Sequence, residues 1–289
     1  MDYTKELSDK ISIVNNWIDE LAPRGAGYHK VIYDSMNYSL RSGGKRLRPV
    51  IALSVCEMLG GNTSDLKHFA CAIEFIHTYS LIHDDLPCMD NDELRRGVPT
   101  NHIKYGEALA LLAGDALLNY AFEAVAKSDA KPDLIAGALA IISTASGTEG
   151  MIGGQVVDIA GAKNEAELLK MHEMKTGAMI LSAAKIGALV ASADEESTRH
   201  IEEFAKALGM AFQIRDDILD VLGNEKVFGK PIGSDEKCSK FTFVDLFGIE
   251  GAKCELENYT NVAKQALSFF EEKADFLMWL CDYLIRRDK

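Results

Sequence analysis

Two short stretches crowd carboxylates in a way that calls for a cation. Asp84-Asp85-Leu86-Pro87-Cys88-Met89-Asp90 and Asp216-Asp217-Ile218-Leu219-Asp220 each end an apolar helical row. Phe69, Ile73, Ile76, Ser80 and Asp84 follow the three- and four-residue steps of one helix face, and Ile201, Phe204, Ala205, Leu208, Phe212 and Asp216 do the same. Bunched carboxylates repel one another unless they are protonated or bound to a positive ion. Gly223 follows the second cluster closely, so that cluster also faces the negative end of its helix dipole. All-oxygen donors of this kind suit Mg²⁺, which takes one or two carboxylates, keeps some waters and fills its shell with substrate phosphate. The residues predict a site for metal plus phosphate.

The spacing within each cluster sharpens this. Asp216 and Asp220 are one helical turn apart and share a face, with Asp217 about 100° round the axis. In the first cluster, six steps of an unbroken helix would carry Asp90 about 240° away from Asp84. Pro87 ends or kinks that helix, so the chain is expected to loop and return Asp90 beside Asp84. Positive charge is concentrated as well. Gly43-Gly44-Lys45-Arg46-Leu47-Arg48-Pro49 joins flexible backbone to three cations just before a helix start, and Arg95-Arg96-Gly97 follows the first cluster. Lys175, Lys230 and Lys240 are further candidates for the same anion. The chain carries no P-loop, no Gly-x-Ser-x-Gly elbow and no paired-histidine zinc helix. Electrophilic chemistry remains, in which Mg²⁺ offsets charge on a departing diphosphate and an apolar cavity shelters the resulting cation. The aspartates would hold metal and would not act as acids.

The elements that position these residues read as helices almost throughout. Ala, Leu, Lys and Glu dominate and alternating β-branched runs are scarce. Helices are expected at roughly 3–21, 28–42, 47–60, 64–84, 101–127, 133–147, 149–160, 165–190, 193–222 and, in pieces, 250–285. Ser192 with Glu195 and Asn164 with Glu167 have capping-box spacing. Small-residue seams at Ala108, Ala110 and Ala113, and at Ala183, Ala184 and Gly187, favour close helix packing. The expected fold is all-α, one large orthogonal or antiparallel bundle spanning 1–289 as a single domain around a deep central cavity. Segments 91–100 and 223–240 have the weakest periodicity and read as active-site loops.

Composition fits this frame. At 289 residues and 47% hydrophobic content the chain can bury a large core. A net charge of −13 speaks against nucleic acid as a partner. Six cysteines without paired spacing indicate reduced thiols. The first residues lack a signal-peptide pattern, and the apolar run 109–118, cut by Gly114 and Asp115, reads as too short and too polar to cross a bilayer. The expectation is a soluble, cytoplasmic protein with no stable membrane insertion.

With both aspartate clusters, the Gly-Gly-Lys-Arg-Leu-Arg-Pro turn and the Arg95-Arg96-Gly97 loop in view, the chain resembles the trans-isoprenyl diphosphate synthases, the polyprenyl synthetase family. The likeness is nearest to the bacterial branch that makes farnesyl diphosphate, and it runs from about Gly43 to Arg287. It implies the isoprenoid synthase fold, a homodimer, and condensation of isopentenyl diphosphate with dimethylallyl and then geranyl diphosphate to give (2E,6E)-farnesyl diphosphate. It implies three Mg²⁺ per site, with Mn²⁺ as a substitute. By matching motif, Asp84, Asp90 and Asp216 are the direct metal ligands, with Asp85, Asp217 and Asp220 completing or supporting the two clusters. Gly44, Lys45, Arg48, His77 and Arg96 match positions around isopentenyl diphosphate. Arg95, Lys175, Thr176, Gln213, Lys230 and Lys240 match those around the allylic diphosphate, and Lys175, Thr176, Gln213, Arg95 and Arg96 are the catalytic candidates. Thr176-Gly177 also suggests a helix irregularity whose freed carbonyl could face the allylic cation.

Tyr79, five positions before Asp84, lies about 7.5 Å further down the helix axis, where with Ser80 it could limit a growing prenyl tail. In the family an aromatic there accompanies the fifteen-carbon product; simple core packing is the other reading of the same residue. Leu86-Pro87-Cys88-Met89-Asp90-Asn91-Asp92 also resembles geranylgeranyl diphosphate synthases. A terpene cyclase would share the first cluster, but Asp216 to Asp220 departs from the second motif of that class. A metal phosphohydrolase would leave the second cluster and the lysines idle. A non-catalytic partner subunit would be expected to have lost ligands, whereas both clusters here are whole.

Overall fold

In the computed structural model the described residues are 2–222 and 241–286. Lys230, Lys240, Arg287 and the expected loop 223–240 lie outside them. The architecture is all-α, with one two-stranded hairpin among the described residues. By internal contacts the chain forms two compact units, 1–50 with 64–139 and 51–63 with 140–289.

The first unit contains α1 (Tyr3–Leu21), α2 (Lys30–Leu40), the start of α3 (Leu47–Met58), α4 (Thr63–Asp84), the hairpin β1 (Leu94–Arg95) and β2 (Val98–Pro99), α5 (Asn101–Tyr105), α6 (Glu107–Ala126) and the start of α7 (Pro132–Ser146). α4 is apolar on every side, and Leu66, Phe69, Ile73, Phe75 and Ile76 are all fully buried. Each such side chain contributes roughly 1.5–3 kcal/mol through burial. The row that begins with them rises to half-buried Ser80 and Asp84. The helix stops at Asp84, three residues before Pro87, and the Asp90 N–H donates to the Asp84 carbonyl at 2.9 Å. The chain therefore makes the expected return.

The expected helix 101–127 is two helices, because Gly106 at φ 86° breaks it. Ala110 and Ala113 are buried as the seam requires, but Ala108 is exposed and takes no part in it. The reading of 109–118 as too short for a membrane is also corrected. α6 is 20 residues long and, like 132–160, is long and apolar enough to cross one by length and composition. Its buried residues, among them Ala110, Ala113, Leu117 and Ala121, show a stripe packed against protein.

The second unit contains the rest of α3 and α7, then α8 (Met151–Ala160), α9 (Glu165–His172), a π-helical turn (Glu173–Gly177), α10 (Ala178–Val190), α11 (Glu195–Leu222), α12 (Phe243–Leu267), a 3₁₀ segment (Ser268–Ala274) and α13 (Asp275–Arg286). The π turn is the irregularity anticipated at Thr176-Gly177. Asn164 caps α9 as expected, accepting from the Glu167 N–H at 3.0 Å. Ser192 does not cap α11. It sits at φ 55°, and Asp194 takes the role by accepting from the Ser197 N–H at 2.7 Å. α12 starts before the expected residue 250, under a capping box in which the Thr242 N–H donates to Asp245 at 2.9 Å. Gly248 (φ 69°) then interrupts it, so the regular helix resumes near the expected start.

α11 packs along α12 over a core of Met210, Ile214, Ile218, Phe243 and Leu256, directly beneath the second aspartate motif. Gly187 lets α10 press on α3, since a β-carbon there would lie 2.5 Å from the Ala52 carbonyl oxygen.

Candidate active site

In the first unit, backbone conformation delivers the cations. Gly43 (φ 87°), Gly44 (φ 134°) and Arg46 (φ 48°) swing the chain into α3. Arg96 (φ 54°) and Gly97 (φ 79°) are the central pair of the hairpin, both at positive φ as a type I′ turn demands. Arginine pays steric strain there. The two loops meet: Arg96 donates to the Gly43 carbonyl, and a β-carbon on Gly44 would lie 2.6 Å from the Arg96 guanidinium. Gly44 and Arg96 are thus brought together, with exposed Lys45 and half-buried Arg48 on the adjoining turn.

Arg46 differs from the sequence reading, which counted it among three cations for one ligand. It is buried, paired with Glu74 at 2.7 Å, and donates to the Leu40 carbonyl at 2.6 Å and to Asn15 at 3.0 Å. It anchors the loop, and burial of Glu74 in α4 was the available signal. Arg95 is fixed by Asp85, its Nε donating to both carboxylate oxygens at 2.8 and 2.9 Å, with Asp92 at 3.6 Å.

Burial, and then the guanidinium groups of Arg48, Arg96, Arg95 and Arg46, hold His77 neutral, with its pKa well below the usual histidine range. Tyr79 is buried and meets His83 edge-on at 5.7 Å. Burial, and next the charge of Asp84, push its phenol up to about 12. Ser80 donates to the His77 carbonyl within its own helix.

In the second unit the π turn carries Lys175 and Thr176. Gly154 of α8 lies against it, for a β-carbon there would be 2.2 Å from the Lys175 nitrogen. On the other side Gly209 of α11 approaches Gly177, with a β-carbon placed 3.0 Å from its Cα. Lys175 Nζ is 2.7 Å from Asp158, a residue the sequence reading missed; its one signal was a lone carboxylate in the otherwise uncharged run 151–160. Thr176 donates to Gln213 Oε1 at 2.9 Å, and Gln213 Nε2 donates to Asp217 at 3.3 Å. Asp217 also accepts from the Phe243 N–H at 3.0 Å. A polar cavity of about 130 Å³ opens among Asp158, His172, Lys175, Gln213, Asp217 and Thr242. Asp216 is half-buried and Asp220 buried. Lys230 and Lys240 fall outside the described residues.

Among the described residues no three His, Cys, Asp or Glu side chains converge tightly enough to cage a metal by themselves. The donor set still fits Mg²⁺. Each cluster offers only hard oxygen ligands, and this ion characteristically binds through one or two carboxylates, with water and substrate phosphate supplying the rest.

A sequence profile of the polyprenyl synthetase family matches residues 29–275. The chain is 45% identical over 260 residues to a farnesyl diphosphate synthase of Geobacillus stearothermophilus, covering 88% of each. It is 42% identical over 288 residues to a geranylgeranyl diphosphate synthase of Cyanophora paradoxa, covering 98% of this chain and 95% of that one. The crystal structure of an FPP/GFPP synthase from Zymomonas mobilis superposes with a TM-score of 0.88 at 30% identity, covering 98% of this chain and 99% of that one.

Proposed function

The chain belongs to the polyprenyl synthetase family of trans-prenyltransferases, which act on isoprenoid diphosphates, and from that membership we propose that it makes (2E,6E)-farnesyl diphosphate. Its substrates are isopentenyl diphosphate and an allylic partner, dimethylallyl and then geranyl diphosphate. Asp84, Asp90 and Asp216 would hold Mg²⁺, with Asp85, Asp217 and Asp220 in support, and the bound metal would offset charge on the departing diphosphate.

The remaining steps fall to the chain's own groups. Lys175, held by Asp158, and Arg95, held by Asp85, present fixed positive charge to the allylic diphosphate. Lys230 and Lys240 serve the same anion by motif. Gly44, Lys45, Arg48, neutral His77 and Arg96 bind isopentenyl diphosphate and orient its double bond. Thr176 and Gln213, joined by their hydrogen bond, offer oxygen dipoles to the allylic cation. The carbon–oxygen bond of the allylic diphosphate breaks, the isopentenyl double bond attacks, and a proton leaves to the released diphosphate.

The observation that carries the fifteen-carbon reading is Tyr79, buried one to two turns below Asp84 and backed edge-on by His83. Likeness to a geranylgeranyl diphosphate synthase over nearly the whole chain supports a twenty-carbon product as the second reading. Separating ten-, fifteen- and twenty-carbon products of the wild type and of Tyr79→Ala tests the choice. We expect fifteen carbons from the wild type and longer chains from the variant. An unchanged spectrum would assign Tyr79 to packing, and a twenty-carbon wild-type product would favour the second reading. The exposed Leu111 and Leu112 of α6 support a homodimer, in which a second copy would cover them.

A further inference from the structure

The hairpin that carries Arg95 and Arg96 is tied to α2 by a residue outside the charged motifs. Asn101 follows β2 after Thr100 and is 2% exposed. Its whole amide is spent on α2: Oδ1 accepts from Ser35 Oγ at 2.8 Å, while Nδ2 donates to the Ser35 carbonyl at 3.0 Å and to Ser39 Oγ at 2.8 Å. Ser35 and Ser39 stand one turn apart on one face of that helix, so a single side chain spans both. On the same helix Tyr38 donates its hydroxyl to the Pro99 carbonyl of β2 at 2.7 Å, and Lys104 Nζ lies over its ring, 3.7 Å from the centroid. The Thr100 N–H closes the hairpin by donating to the Glu93 carbonyl at 2.9 Å. α2 then runs into the other cationic turn. Its Leu40 carbonyl accepts from Arg46 at 2.6 Å, and the Gly43 carbonyl just past its end accepts from Arg96. Both cationic turns of the first unit therefore hang on one helix.

We propose that Asn101 is a positioning residue for isopentenyl diphosphate, fixing the hairpin to α2 so that Arg96 keeps its place beside the Gly43 to Arg48 turn. A buried amide whose donors and acceptor are all met adds little net stability, but it excludes other geometries. Any slip of the hairpin along α2 would leave a buried polar group without a partner. Arg95 does not depend on this tie, because Asp85 grips it directly. The two arginines of one hairpin thus have different supports, and loss of Asn101 is felt by the diphosphate that Arg96 serves. The inference rests on the reading of Arg96 as a contact of isopentenyl diphosphate.

Two measurements on the full-length protein test it. The first is steady-state kinetics of Asn101→Leu with Mg²⁺, geranyl diphosphate and isopentenyl diphosphate. We expect KM for isopentenyl diphosphate to rise about 10-fold or more while KM for geranyl diphosphate stays within about twofold of wild type. Ser39→Ala and Tyr38→Phe, which each remove one tie and serve if Asn101→Leu fails to fold, should raise the same KM by about two- to fivefold. Val125→Ala, a buried truncation in the last turn of α6, should leave both KM values within about twofold of wild type. An unchanged KM for isopentenyl diphosphate, or an equal rise in both KM values, would overturn the proposal. The second measurement, hydrogen exchange in the peptide spanning 93–100, needs no turnover. Exchange should quicken in Asn101→Leu and keep the wild-type rate in Val125→Ala. Unchanged exchange in Asn101→Leu would also overturn the proposal. A wild type that fails to join the two substrates would refute the functional reading and the assignment to isopentenyl diphosphate with it, and the exchange result would still decide whether Asn101 holds the hairpin.

Discussion

Each aspartate pair has a half-buried first member and a buried second one. Asp84 stands beside Asp85, which grips Arg95, and Asp216 stands beside Asp217, which grips Phe243 and Gln213. If the two first members hold metal as proposed, Asp84→Ala and Asp216→Ala lower turnover by roughly 10³-fold or more with little change in melting temperature, because no packing group is lost. Near-normal turnover in either variant would contradict that role. His77 supplies a pH prediction. Its folded pKa lies well below the ordinary value of 6.5, so the unfolded chain binds a proton that the folded one refuses. The stability His77 contributes is thus fully present above about pH 6.5 and is lost as pH falls below it toward the folded pKa. A nuclear magnetic resonance titration should place the His77 midpoint well below 6.5 and show it rising when inorganic pyrophosphate is added. A midpoint at or above 6.5 would refute burial beside these guanidinium groups as the setting of His77. At this scale the candidate residue types could be read from the sequence, but not where each would point. Arg46 looked like a ligand cation because its partner, Glu74, is 28 positions away in α4.

Among the elements, the site depends on two places where missing side chains let helices touch. Gly154 admits the π turn from one side and Gly209 from the other. Gly154→Ala would drive a methyl group into the Lys175 backbone and displace Lys175 and Thr176. We expect turnover to fall by about 100-fold, with a stability loss of about 1–3 kcal/mol from overpacking, read by steady-state kinetics and denaturant unfolding. Unchanged kinetics would mean that the turn tolerates displacement. Helix positions were largely legible, because periodicity and punctuation agree: Pro87 foretold the return of Asp90, and Thr176-Gly177 marked the π turn. The misses have local causes. Ser192 sits in a left-handed conformation that hands the cap to Asp194, and Gly106 breaks a helix whose apolar pattern runs straight through it. The pairing of Lys175 with Asp158 was hidden because it joins two elements across a turn, which periodicity does not register.

At the scale of the whole molecule, a chain of net charge −13 places cations on built turns within each unit: the Gly43 to Arg48 turn and the Arg95-Arg96 hairpin in the first, and the π turn with Lys175 in the second. Cations fixed on such turns are the side chains that a phosphate-bearing ligand would meet in an otherwise acidic protein. The family match and the helical architecture extend this to prenyl transfer. The most direct test supplies purified protein with geranyl diphosphate, isopentenyl diphosphate and Mg²⁺ and follows release of inorganic diphosphate alongside the prenyl product. The account predicts one diphosphate released per isopentenyl unit added, dependence on both substrates, and arrest by a chelator. Release from an allylic diphosphate alone with formation of a hydrocarbon, or no release under any of these conditions, would contradict it.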